Sequence, residues 1–124
     1  MGQGLILFAH GSREPGWADP FEQVLAKVRA AAVGREVRLA FLELMRPNLA
    51  EAVAELAGKH VREICVVPIF LGLGGHLQRD LPGMIEQLRS RHQGVRIECA
   101  RPAGEEESVL ESIAAYCLTQ ANAA

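Results

Sequence analysis

Four short apolar runs rich in β-forming residues, at 5–9, 37–44, 64–71 and 95–100, each lead into a stretch of helical periodicity. No other feature of the chain limits its fold so strongly. Several of the runs are apolar almost without interruption, the mark of strands covered on both faces rather than strands with one wet side. Behind them, Phe21, Val24, Leu25 and Val28 share one helical face, as do Leu49, Ala52, Val53 and Leu56. The same holds for Leu81, Met84, Ile85 and Leu88, and for Val109, Leu110, Ile113 and Cys117. The order βαβαβαβα predicts a single α/β domain over residues 1–124, a four-stranded parallel sheet with helices on both faces. Asn48 and Glu51 read as a capping box at the second helix, and Asp80 with Pro82 as the start of the third. Pro68 cannot donate to a ladder, so it is expected at a strand end or a bulge. Residues 120–124 read as a frayed tail.

Composition removes several classes of function. A chain of 124 residues with 49% hydrophobic and 23% charged residues has the balance of one globular domain. A net charge of -2 supplies no basic field for nucleic acid or an anionic membrane, so neither is an expected partner. Cys65, Cys99 and Cys117 are odd in number and lack zinc or redox spacing, which favours reduced, structural thiols in a reducing compartment. The longest apolar run, 64–71, contains Pro68 and is too short to span a bilayer, and the first residues carry no basic leader. A soluble, cytoplasmic protein is the expectation.

Right-handed crossovers bring all four strand-to-helix loops to one edge of such a sheet, where ligands of this architecture bind. The first loop carries His10, Gly11, Ser12 and Arg13, and the second Glu43, Leu44, Met45, Arg46 and Pro47. The third carries Leu71, Gly72, Leu73, Gly74, Gly75, His76 and Arg79, and the fourth Arg101 and Pro102. Imidazoles with a carboxylate and open positions suit a first-row divalent ion that is bound and released. The bland alternative is that each histidine only steadies its loop and that Glu43 is a solvated strand terminus. His60 and His92 fall at helix ends, where the structural reading is preferred. Of 13 basic residues only Lys27 and Lys59 are lysine. Arg13, Arg46, Arg79 and Arg101 place a guanidinium in or beside every loop, either as solvated charges or as a cationic rim for a ligand with several carboxylates. The glycine-rich turn is no dinucleotide or Walker loop, since Leu77 stands where a third glycine belongs and no Lys-Ser/Thr follows. It suits a flat ligand lying against backbone. Ser12 lacks the flanking glycines of a nucleophile elbow.

The stretch from Leu7 to Arg13, then 41–47, then Pro68 to Leu71 running through Gly75 and His76 to Asp80 and Pro82, resembles the small sirohydrochlorin chelatases of the cobalamin and siroheme pathways. The resemblance implies a lyase that inserts a divalent metal, Co2+ first, with Fe2+ or Ni2+ as alternatives, into a sirohydrochlorin-type tetrapyrrole. The metal is then a substrate, and no permanent cofactor is implied. His10 and His76 match metal-binding histidines, with His10 also matching the proposed base. Glu43 matches an acidic residue near the metal. Leu71, Gly72, Leu73, Gly74, Gly75 and His76 match a substrate-contacting segment, joined by Arg13, Arg46 and Arg79 as candidate carboxylate binders. A homodimer is implied as well, because larger members of the group pair two such lobes around a cleft. A non-catalytic metal or tetrapyrrole carrier is the second reading. A receiver-like signalling module is third, disfavoured by the lack of an acidic cluster at the ends of the first and third strands.

Overall fold

The computed structural model describes residues 2–123. Its elements run β1 (Gln3–Ala9), α1 (Asp19–Ala31), β2 (Glu36–Phe41), α2 (Leu49–Gly58), β3 (Glu63–Pro68), α3 (Gly75–Arg91), β4 (Arg96–Cys99), a 3-10 turn (Ala103–Glu105) and α4 (Glu107–Ala123). The strands form one parallel sheet in the order β2-β1-β3-β4. Every expected strand and helix is present. Pro68 closes β3 opposite Phe8, where its missing N–H costs the ladder nothing further along.

The sheet order decides which helix lies where. The β1-to-β2 crossover runs opposite to the β2-to-β3 and β3-to-β4 crossovers, so right-handedness puts α2 and α3 on one face and α1 on the other. The α2/α3 face is closed. Ile6 and Phe8 of β1, Ala40 of β2, Ile64 and Val66 of β3 and Ile97 of β4 meet Leu49, Val53 and Leu56 of α2 and Leu77, Leu81, Ile85 and Leu88 of α3 in one buried cluster. Each Val, Leu, Ile or Phe side chain among them stabilises the fold by roughly 1.5–3 kcal/mol through area removed from water. The Asn48 side chain accepts the Glu51 N–H at 2.8 Å, and Glu51 accepts the Asn48 N–H at 2.9 Å. This is the expected capping box, which contributes about 1 kcal/mol at the head of α2.

Three expectations fail. Asp80 does not start α3; the helix begins at Gly75, and Asp80 and Pro82 lie inside it. The backbone already enters the helix at the glycine turn, and Leu77, one turn before Leu81, supplies the first buried contact. The apolar stripes of α1 and α4 bury no residue. On α1, Phe21, Leu25 and Val28 are half-buried, whereas on α4 only Val109 is, and the helix packs chiefly on the 3-10 turn before it. Residues 120–123 continue α4 instead of fraying, and Ala124 lies outside the described residues. No helix among the described residues is long and apolar enough to cross a membrane.

Candidate active site

The carboxyl ends of β1 and β2 are tied together at backbone level. The Leu42 N–H donates to the Ala9 carbonyl at 2.8 Å, and the Phe41 N–H folds the second loop back by donating to the Pro47 carbonyl at 2.9 Å. Gly11 then lies so close to the Glu43 carbonyl that an added Cβ would overlap its oxygen. Only glycine fits there, which explains the second position of the His-Gly-Ser-Arg motif. His10 and Glu43 therefore sit on touching loops, both exposed. Leu44, next to Glu43, holds a left-handed φ of 67°, uncommon for a residue with a side chain and expensive by about 1 kcal/mol or more.

Three further contacts fix His10. Its ring packs on Phe70 with centroids 4.3 Å apart and planes inclined at 37°. Trp17 donates its indole N–H to the His10 carbonyl at 2.8 Å. The Ser12 hydroxyl accepts the Glu14 N–H at 3.0 Å, so it caps the turn and is spent locally. The tilted Phe70 ring backs the imidazole, and His10 as a whole remains exposed. Neither Phe70 nor Trp17 is among the site residues expected from the sequence. The signal was available: Phe70 stands inside the motif that carries the resemblance, and Trp17 is the chain's sole tryptophan, seven residues after His10.

Across the edge, the glycine turn is built differently. The Phe70 carbonyl accepts the Gly104 N–H at 2.9 Å, and a Cβ on Gly104 would overlap the Leu71 carbonyl, so the turn is gripped at its base. Beyond that point Leu71, Gly72, Gly74 and Gly75 are exposed, and a Cβ on any of the three glycines would meet nothing within 4 Å. Leu73 is half-buried beside the core. His76 is exposed in the first turn of α3, and Arg79 approaches its Nδ1 through Nη2 at 3.5 Å. Among the described residues no three His, Cys, Asp or Glu side chains gather closely enough to hold a metal ion.

The arginines divide into two kinds. Arg46 pairs with Glu51 of the capping box, and Arg101 reaches the Glu105 carbonyl at 3.4 Å and Glu106 at 3.7 Å. The hydrogen bond from Arg46, then the Asn48 N–H, hold the Glu51 carboxyl below its ordinary range. Arg13 and Arg79 make no ion pair among the described residues and are exposed. A groove of about 420 Å3 lies at the opposite end of the sheet, lined by Gln3, Leu5, Arg35, Cys65, Arg96 and Glu98 among others. The loop edge itself carries a braced His10, an exposed Glu43 on the adjoining loop, an exposed glycine turn and two guanidinium groups without an ion pair among the described residues.

Comparison with known proteins gives this arrangement its context. The CbiX family model matches residues 4–117. A protein of Sulfurisphaera tokodaii named sirohydrochlorin cobaltochelatase is 33% identical over 108 residues, 87% of this chain and 85% of that protein. A crystal structure of a CbiX protein from Marinobacter aquaeolei VT8 superposes with a TM-score of 0.88 at 32% identity, covering 98% of this chain and 99% of that one. The sirohydrochlorin chelatase SirB from Bacillus subtilis subspecies spizizenii, solved in complex with cobalt, superposes with a TM-score of 0.75 at 28% identity, covering 90% of this chain and 47% of its own. This chain thus spans about half the length of SirB.

Proposed function

Because the chain belongs to the CbiX family, we propose that it is a sirohydrochlorin cobaltochelatase, with Co2+ and a sirohydrochlorin-type macrocycle as its two substrates. The observation that carries the proposal is the fit of the His10 loop, locked by Gly11 against the Glu43 carbonyl, to a family match over nearly the whole chain. Insertion replaces two pyrrole N–H protons by the metal ion, so the site must accept two protons and deliver one cation. His10, oriented by Phe70 and Trp17, accepts a proton from the ring. Glu43 accepts or relays the second. His76 with His10 holds Co2+ through nitrogen and releases it as ring nitrogens take over, which requires loose coordination rather than a closed four-ligand site. The macrocycle lies on the glycine turn with its carboxylates toward Arg13 and Arg79, and remote binding of this kind can support ring distortion.

We further read the working unit as a homodimer. One chain offers an open shelf and spans 47% of SirB, so a second copy facing it would restore a cleft. Cobalt ranks first because relatives of this length carry the cobaltochelatase name. Nitrogen and oxygen ligands accept Fe2+ and Ni2+ as well. The test is a side-by-side assay: purified protein with sirohydrochlorin and Co2+, Fe2+ or Ni2+, followed by the absorption of the macrocycle. Acceleration over the metal alone, greatest with Co2+, is the expected result. Stoichiometric binding without acceleration would instead identify a carrier.

A further inference from the structure

Two leucines of the second loop, two residues apart, have opposite surroundings. Leu42 packs against the buried cluster, whereas Leu44 lies outside it and is 52% exposed. Leu44 also holds the left-handed φ of 67° within the loop that the Phe41 N–H closes on the Pro47 carbonyl. Glycine adopts that conformation freely and asparagine readily, so either would suit the turn better than leucine. Leucine is therefore unfavourable here twice over, in its backbone and in the apolar surface it shows to water. The core of the chain offsets neither cost. A strained residue of this kind beside a site points to a role in that site.

Its position indicates what it meets. Gly11 lies against the Glu43 carbonyl, and an ideal Cβ on it would come to 3.4 Å from the Met45 nitrogen. The backbone on both sides of Leu44 thus borders the His10 loop. The sheet order β2-β1-β3 sets the His10 loop between those of Leu44 and Leu71. Two strand spacings separate the outer loops, about 10 Å, the scale of a tetrapyrrole core. Trp17, Leu44 and Leu71, one from each of the three loops, are 38%, 52% and 70% exposed. The other large exposed hydrophobics among the described residues lie on α1, in the turn after it, or on α4. Arg13 and Arg79, without an ion pair among the described residues, stand on the same edge. Apolar side chains around a polar centre, with cations beside them, match a flat apolar ring bordered by carboxylates.

We propose that Leu44 is a specificity-determining contact for the macrocycle, its left-handed backbone holding the side chain off the core and against the ring face beside His10. Binding then supplies the burial that the free chain withholds from this leucine. The inference rests on the sirohydrochlorin reading above and adds to it a substrate contact on the His10 half of the edge.

The test is a titration of sirohydrochlorin into the full chain without metal, followed by macrocycle absorption, beside thermal melts and light scattering. Leu44→Gly and Leu44→Asn should each weaken macrocycle binding by about tenfold, the loss of one partly buried leucine. Both should keep or raise the melting temperature, because the backbone strain is relieved. Leu44→Met retains an apolar side chain of similar volume and should bind as the wild type does. Lower affinity at undiminished stability is a combination that a merely structural leucine does not produce. Unchanged affinity in both the Gly and Asn variants overturns the proposal and leaves the chelatase reading standing. A lower melting temperature in both, or a weakened dimer, also overturns it, assigning Leu44 to contacts within the chain or between copies. A wild type that binds no sirohydrochlorin overturns both readings.

Discussion

The two halves of the loop edge are made in opposite ways. On the β1/β2 side, backbone contacts leave no freedom: Gly11 lies against the Glu43 carbonyl, Trp17 holds the His10 carbonyl, and Phe70 backs the ring. On the β3 side the chain is gripped once, by Gly104 at Leu71, and then left open through Gly72, Gly74 and Gly75. A group that must accept a proton gains from being oriented beforehand. A surface that must receive a flat macrocycle gains from having no side chains in the way. Under the proposed function, the first half would carry the chemistry and the second would receive the substrate.

The largest effect should separate the two histidines. His10→Ala is expected to lower the rate of cobalt insertion by on the order of 10²–10⁴, the range of a lost general base. His76→Ala, on the open half, should act more on the cobalt concentration needed for half-maximal rate. Initial rates across a cobalt titration check both. A larger loss of maximal rate at His76 than at His10 would reverse the assignment.

The glycines give the next comparison. Gly11→Ala forces a methyl into the Glu43 carbonyl and should destabilise the fold by about 3 kcal/mol, lowering the melting temperature by about 10 °C. Gly75→Ala begins α3 with a Cβ that meets nothing, at a φ that suits alanine, and should leave stability unchanged or raise it by about 0.5 kcal/mol. Its expected cost is a higher KM for the macrocycle, because the methyl stands on the receiving surface. Thermal melts and substrate titrations should therefore separate the two variants, Gly11→Ala losing stability and Gly75→Ala losing affinity for the macrocycle.

The sequence makes one half of this picture far more legible than the other. The strands, α2 with its capping box, and the convergence of four loops at one edge follow from local pattern and crossover handedness alone. The start of α3 does not, because Asp80 and Pro82 imitate a helix start, while the real entry depends on Leu77 finding the core. Apolar stripes on α1 and α4 resemble those on α2 and α3, since periodicity reports that a face needs cover but not who supplies it. Phe70 behind His10 is a contact between residues sixty apart, which no local pattern encodes. The four loop arginines look alike in sequence, yet Arg46 and Arg101 have intramolecular partners.

That last division yields the smallest and most specific effect. Arg46 belongs to the locked half only through Glu51, whose carboxyl also closes the capping box of α2. A carboxyl held below its ordinary value in the folded state contributes stability that is fully present above the unfolded value, about 4.3, and that disappears as pH falls through the lowered one. Glu55, lowered chiefly by its hydrogen bond from Arg38, acts in the same direction and window. Thermal melts of the wild type should therefore fall below pH of about 4.5 more steeply than those of Glu51→Gln, in which the amide can still cap α2 but has no charge to lose. The Glu55 contribution should persist in both proteins, so the difference between the curves isolates Glu51. Identical acid profiles would mean that Arg46 is not held by Glu51 in solution. It would then join Arg13 and Arg79 as a guanidinium free to meet a carboxylate of the macrocycle, and the boundary between the locked and the open half would move past the second loop.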